Sequence, residues 1–311
     1  MTVVALAGGT GGAKLAHGLQ LVLPPGDLTI VVNTADDTER HGLLVMPDHD
    51  AILYMLDGRF DDVRGWGIAG ETWAVMEELE RYGEEGWFRL GDRDFATHIA
   101  RGARLRDGAT LSDAVLGLQT ARGLATRILP MSDEPVRTQV RTAEGWLDFQ
   151  EYFVHRHQAP EVLEVRYAGL DHASPSSHVA AALATASVVV IGPSNPIVSI
   201  GPILALPGMG DLLAGARARG ATVVAISPIV GGRALKGPAD RMLLSLGHDS
   251  SATGVARLLA NVLDGFVLDE LDGSMEAAIS ALGLRTLVTN TVMADEAGRT
   301  RLARAVLEFA A

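Results

Sequence analysis

The sequence predicts a Rossmann-like α/β fold: a mostly parallel sheet with helices on both faces and a largely helical insertion over the ligand crevice. Three observations predict it. Short, continuously apolar runs alternate with amphipathic ones along the 311 residues, as expected for strands covered on both faces. The first of these runs opens directly into a glycine cluster. Between about residues 58 and 130 the alternation gives way to helical spacing alone.

Taken in order, the first strand falls near residues 2 to 7, where Val3-Val4-Ala5-Leu6-Ala7 empties into Gly8-Gly9-Thr10-Gly11-Gly12-Ala13-Lys14. A helix follows with Leu15, Leu19 and Val22 on one face, and a second strand spans Leu28 to Asn33. In the insertion, Val75, Met76, Leu79 and Tyr82 recur at helical spacing before Gly83, and Ile99, Ala103 and Leu111 to Leu118 continue in that mode. Trp146 to Phe149 and Val162 to Tyr167 alternate as edge strands do. Further strands are expected at 188 to 191, 222 to 226, 266 to 268 and 284 to 288, each bounded by Gly, Pro or polar residues. There is no internal repeat and no low-complexity linker, so residues 1–311 read as one nucleotide-binding domain carrying the insertion.

Composition narrows the function. With 26 basic and 38 acidic residues the net charge is −12, and aromatic residues make up only 5%. A nucleic acid would be repelled overall and would find few stacking platforms. No cysteine is present, so neither disulfides nor thiolate metal sites enter. No signal-peptide pattern opens the chain, and no apolar stretch approaches the roughly 20 residues that span a bilayer. The expectation is a soluble, cytoplasmic protein with small-molecule partners and no membrane association.

The glycine cluster at a helix N-terminus, with Lys14 nearby, can surround a phosphate, because freed amides and the helix dipole both favour an anion. It can also be a tight turn that lets helix and strand pack closely. A dinucleotide fingerprint requires glycine where Lys14 stands and an acid where Asn33 stands, which argues against an NAD-dependent oxidoreductase. A P-loop requires Gly-Lys-Ser/Thr together, whereas Ala13 separates Gly12 from Lys14.

After the second strand come Asn33-Thr34-Ala35-Asp36-Asp37-Thr38 and then Pro47-Asp48-His49-Asp50. In a parallel sheet these acids face the glycine turn across one crevice, where a divalent cation such as Mg2+ suits hard oxygen donors and a phosphate alike. The alternative is that Asp36 and Asp37 cap a turn while Asp48 and Asp50 are solvated. A third cluster, Gly192-Pro193-Ser194-Asn195-Pro196 through Ser199, and a fourth, Ser227 to Pro238 with Arg233 and Lys236, each follow a strand. They read as a stiff polar nucleotide clamp, or a rigid turn, and as a second anion site. His41, His49, His155 and His157 lack zinc spacing and read as structural.

These blocks, together with Gly65-Trp66-Gly67, Gly70-Glu71-Thr72-Trp73, Trp87-Phe88-Arg89-Leu90-Gly91-Asp92-Arg93-Asp94, Leu129-Pro130-Met131-Ser132-Asp133 and Ser227-Pro228-Ile229-Val230-Gly231-Gly232, cover nearly the whole chain in a fixed order. The chain thereby resembles the 2-phospho-L-lactate transferase family of coenzyme F420 biosynthesis. One departure is Ala35, where the family usually has glycine before its paired acids. The resemblance implies transfer of a phospho-three-carbon-acid group from a guanosine diphosphate-activated donor to the ribityl hydroxyl of the deazaflavin Fo, releasing GMP with the help of Mg2+. On that reading Asp36, Asp37 and Asp50 are the catalytic and metal residues, and Asp50, Arg89 and Trp66 meet the deazaflavin. Gly9, Thr10, Gly11, Gly12, Lys14, Ser194, Asn195, Ser199 and Lys236 hold the nucleotide. The resemblance also implies a homodimer. The rival from another class is a non-catalytic nucleotide-binding regulator of the gluconeogenesis-factor type, which is expected to lack the blocks at Glu71 to Trp73 and Trp87 to Asp94.

Overall fold

The computed structural model describes residues 1–311. Its main sheet has seven strands in the spatial order Arg285–Thr289, Gly265–Asp269, Thr222–Ile226, Val188–Ile191, Val3–Ala7, Leu28–Val32 and Arg127–Pro130. Every neighbouring pair is parallel. The expected Rossmann-like architecture is therefore present, and the six strands read from apolar runs all lie in this sheet.

Alternation along each strand divides the core in two. Val4, Leu6, Val31, Val189 and Ile191 pack on one face, with Val179 and Leu183 from the helix Ser177–Thr185 and Leu213 from the helix Met209–Ala218. Val3, Ala5, Ala7, Ile30, Val32 and Val190 point to the other. There the helix Gly9–Val22 lies against the helices Pro47–Leu56 and Glu296–Ala310. Leu15 and Leu19 are fully buried at that contact, each contributing roughly 1.5–3 kcal/mol.

The insertion supplies the helices Ala74–Arg81, Asp92–Arg106 and Leu111–Ala121. A small core of its own forms from Met76, Leu90 and Phe95 against Val45. It ends earlier than the sequence pattern implies, because Arg127–Pro130 pairs with Leu28–Val32 as the edge of the main sheet. Periodicity cannot separate so short an apolar run from a helix, and Pro130 is tolerated because no strand lies beyond it. Arg137–Thr142 forms the middle of a separate antiparallel sheet flanked by Gly145–Asp148 and Glu164–Ala168, the two expected edge strands. Between these edges the chain makes one π-helical turn, Glu151–His155. No helix is long and apolar enough to cross a membrane.

Strand order reverses beside Val3–Ala7: the chain leaves it for Leu28–Val32 on one side and later returns to Val188–Ile191 on the other. In an open α/β sheet the crevice at such a reversal is where ligands bind. The glycine cluster and the Gly192–Ser199 segment both begin at that edge.

Candidate functional site

The glycine cluster is not a loop ahead of a helix. Gly8 is extended (φ −158°) and the helix begins at Gly9, so the cluster forms the helix's first turn. A Cβ on Gly11 would sit 2.3 Å from the Pro193 carbonyl oxygen, and one on Gly12 would sit 2.9 Å from both Ala7 Cβ and Ser194 Oγ. These two glycines let the turn seat against the neighbouring segment. Gly12 does not line the cavity, and its close approach to Ala7 and Ser194 gives it a packing role. Gly9, with φ +60° and only Asp48 Oδ1 at 4.0 Å, faces open space.

Ser194 clamps the seam: its hydroxyl donates to the Gly8 carbonyl (2.7 Å) and accepts from the Gly8 amide (3.2 Å). Asn195 Oδ1 accepts from the amides of Ile197 (2.9 Å) and Val198 (3.3 Å), which folds the segment back on itself. Both side chains line the cavity with their polar atoms already engaged, whereas Ser199 lines it beside Gly8 as a buried residue. Two lysines complete this corner. Lys236 Nζ donates to Thr10 Oγ1 (2.9 Å) and to the Gly65 carbonyl (2.8 Å), tying the turn to the 58–70 segment. Burial, and then the charge of Lys14, lower its pKa. Lys236 therefore meets a second cation and no carboxylate, the electrostatic signature of an anion site.

The acids sit opposite. Asp48 and Asp50 lie in the first turn of the helix Pro47–Leu56, whose Pro47 opens it. Asn33, at the end of the second strand, links the two halves: its amide donates to Asp48 Oδ2 (3.0 Å) and to the Val198 carbonyl (3.2 Å). Burial pushes Asp36 well above the ordinary carboxylate range, reinforced by the charge of Asp48 and opposed by hydrogen bonding from Thr138. Burial likewise raises Asp37 well above that range against Arg137 and Arg101, and it raises Asp48 against the Asn33 hydrogen bond. Asp50 goes the other way. Burial, the largest single influence, would raise it, but the Arg101 guanidinium, the His49 hydrogen bond and the charge of His98 together outweigh burial and hold it far below the usual range.

The expected ligand trio of Asp36, Asp37 and Asp50 is not gathered, since no three His, Cys, Asp or Glu groups converge into a set ready for a metal. Asp37 lies outside the cavity lining, and both Asp50 oxygens are held by Arg101. Asp36 and Asp48 remain facing the cavity. These donors still suit a hard divalent cation. Asp36 Oδ1 and Asp37 Oδ1 are buried without a hydrogen-bond partner, and Asp36, Asp37, Asp48, Asp50 and Asp94 are all buried, with the buried Arg101 guanidinium paired to Asp50 alone among them. Ala35, in place of the family's glycine, causes no backbone conflict because its φ is negative.

The remaining wall is aromatic. Trp66 meets Trp73 edge-on (6.0 Å), with Arg64 over both rings and Arg89 over Trp73 (4.8 Å). Trp66 and Arg89 line the cavity while Trp73 supports them from outside it. A second platform is Trp87 stacked on His155 (4.7 Å between centroids, 10° between planes) with Arg40 over Trp87 (4.2 Å), two partners not foreseen from the sequence. Phe88, Phe149 and Phe153 extend it. His155 reaches Trp87 because the π-helical turn carries it there; nothing in its sequence neighbourhood signals this. His49 is buried against Asp50 (3.3 Å), as a structural residue. Asn33, His98 and Arg101 are the further site residues that the structure adds, and Asp48, one of the four acids read from the sequence, faces the cavity. Together the walls enclose about 1160 Å³, more than the roughly 300–1,000 Å³ of a pocket for one drug-sized ligand. There is room for two substrates side by side.

Comparison with known proteins places the whole chain in a family. Residues 3–304 match the family model described as 2-phospho-L-lactate transferase CofD. The chain is 41% identical over 306 residues to a 2-phospho-L-lactate transferase of Methanosarcina mazei, covering 98% of this chain and 99% of that protein. It is 40% identical over 317 residues to a phosphoenolpyruvate transferase of Kitasatospora aureofaciens, covering 100% and 98%. A solved structure of a UPF0052 family member from Bacillus halodurans superposes with a TM-score of 0.68 over 98% of each chain at 16% identity, a likeness of fold. With its strand order, its glycine turn and these full-length matches, the chain belongs to the 2-phospho-L-lactate transferase CofD family.

Proposed function

We propose that this protein transfers a phospho-three-carbon-acid group, of the 2-phospholactate or phosphoenolpyruvate type, from a guanosine diphosphate-activated donor to the ribityl hydroxyl of the deazaflavin Fo, releasing GMP, in coenzyme F420 biosynthesis. The observation that carries the reading is the meeting of three chemistries in one cavity: an anion corner, unpaired buried acids and an aromatic wall. The Gly9 turn, Thr10, Lys14, Lys236 and Ser199 hold the diphosphate. Asp36 and Asp48 hold the divalent cation, which supplies neutralisation of charge on the bridging phosphates. Trp66, Arg89 and Asp50, with the Trp87 platform, hold the flat acceptor and orient its side-chain hydroxyl toward the phosphorus. Catalysis is then mostly positioning, as in other phosphoryl transfers.

The presence of Trp87 to Leu90 on the cavity wall favours the enzyme over a nucleotide-binding regulator, because a regulator that binds only a nucleotide has no use for a second, aromatic compartment. Incubating the protein with Fo, the activated acid and Mg2+ is expected to give GMP and the phospho-acid adduct by mass spectrometry. Nucleotide binding without any adduct would overturn the reading. We also propose a homodimer, to be checked by sedimentation equilibrium.

A further inference from the structure

We propose that Arg101 is a positioning residue for the acceptor side of the site: its guanidinium fork, delivered by the inserted helix Asp92–Arg106, fixes the Asp50 carboxylate in the orientation that the acceptor meets. The inference rests on the reading of Asp50 as an acceptor-binding residue and adds the group through which the insertion governs it.

Arg101 is fully buried and does not line the cavity, so it touches no ligand. Its Nη1 donates to Asp50 Oδ1 (2.7 Å) and its Nη2 to Asp50 Oδ2 (3.0 Å). Nη2 also donates to the Leu44 carbonyl (2.7 Å) and lies 2.9 Å from His98 Nδ1. His98 Nε2 lies 3.3 Å from Asp94 Oδ1, and that oxygen accepts from the Tyr54 hydroxyl. Asp50, Tyr54, Asp94 and His98 all line the cavity. One buried guanidinium thus anchors a row of cavity-facing side chains drawn from two helices.

A buried ion pair is a poor way to gain stability, because desolvating both charges costs about what their attraction returns. Its geometry is what distinguishes it. The two fork bonds are short, while the other contacts of Asp50, with the Met46 amide and His49 Nδ1, are both 3.3 Å. Those longer contacts can be exchanged for a ligand hydrogen bond without the carboxylate turning. The fork also joins the insertion to the sheet, since Asp50 is carried by the helix Pro47–Leu56 and Arg101 by the helix Asp92–Arg106.

Arg101→Lys keeps the charge and loses the fork. Fo affinity is read from the ring's absorbance, GDP affinity from calorimetry, and KM and kcat from turnover. The expected result is a loss of Fo affinity and a rise in KM for Fo of about tenfold or more, with GDP affinity within about twofold. In the Asp50→Asn background, Arg101→Lys is expected to cost Fo no further affinity, because Arg101 acts through Asp50. Unchanged Fo affinity in Arg101→Lys overturns the inference, as does a parallel fall in GDP affinity or a further loss in the double variant. If Arg101→Lys does not fold, Asp50→Glu, which keeps the charge and displaces the carboxylate, is expected to show the same loss confined to Fo, and wild-type Fo affinity there is equally fatal. Wild-type protein that binds GDP but not Fo overturns the site reading and this inference together. Wild-type protein that binds both, with Arg101→Lys unchanged, overturns this inference alone.

Discussion

Asp36 and Asp37 are buried acids with raised pKa values, whereas Asp50 is a buried acid with a lowered one, and the two kinds respond oppositely to pH. For a raised group the unfolded chain releases its proton first, so its stabilising contribution is full below the ordinary carboxylate range and is lost as pH rises through the folded value. Asp50 contributes above that range and loses its contribution only as pH falls far below it. Metal-free protein should therefore lose thermal stability as pH rises from about 4 to 8. Asp36→Asn should flatten that profile and stabilise the metal-free protein at neutral pH. A steeper profile in the variant, measured by melting temperature, contradicts the assignment. Asp50→Asn should abolish turnover with the fold intact by circular dichroism, and Arg89→Ala should weaken Fo binding more than GDP binding. The acids were legible because they follow a strand end. Arg101 and His98 were not, because charges on an amphipathic helix read as a solvated face until a partner from another element is known.

At the scale of elements, the glycine turn combines two demands that the sequence presents as one. Gly11 is fixed by the backbone of Pro193, which cannot move aside as a flexible side chain can, whereas Gly9 has open space and a left-handed backbone. Gly11→Ala should cost roughly 1–3 kcal/mol through the forced opening of the seam and should weaken GDP binding. Gly9→Ala should cost about 1–2 kcal/mol, the penalty for φ > 0. Equal GDP affinity in Gly11→Ala and wild type would show that the seam does not shape the nucleotide corner. The strands of the main sheet were legible because burial on both faces writes an unbroken apolar run. Arg127–Pro130 was hidden by its brevity, and the π-helical turn at Glu151–His155 by the absence of any local signature for that geometry.

Across the whole molecule, the sheet edge supplies the polar corner while the 58–70 segment, residues 86–90 and residues 149–157 supply most of the aromatic side. Ligands that bind only the folded state add stability in proportion to the logarithm of their concentration over Kd. Mg2+ with GDP should therefore raise the melting temperature of the wild type more than that of Asp48→Asn, and equal shifts would remove Asp48 from the cation site. The overall architecture could be read from strand alternation, but the enclosure of one cavity by segments far apart in sequence could not, because spacing along a chain carries no distance between loops.

The Ser194 clamp on Gly8 has a kinetic corollary. Because that hydroxyl braces the turn from within, the amides proposed to receive the phosphate are already set, and on that proposal little chain entropy is lost when a nucleotide is captured. The opposite flank is assembled from three stretches far apart in sequence, with no comparable hydroxyl clamp across it. Such an asymmetry favours a sequence of events in which the donor docks first and the acceptor seals the chamber behind it.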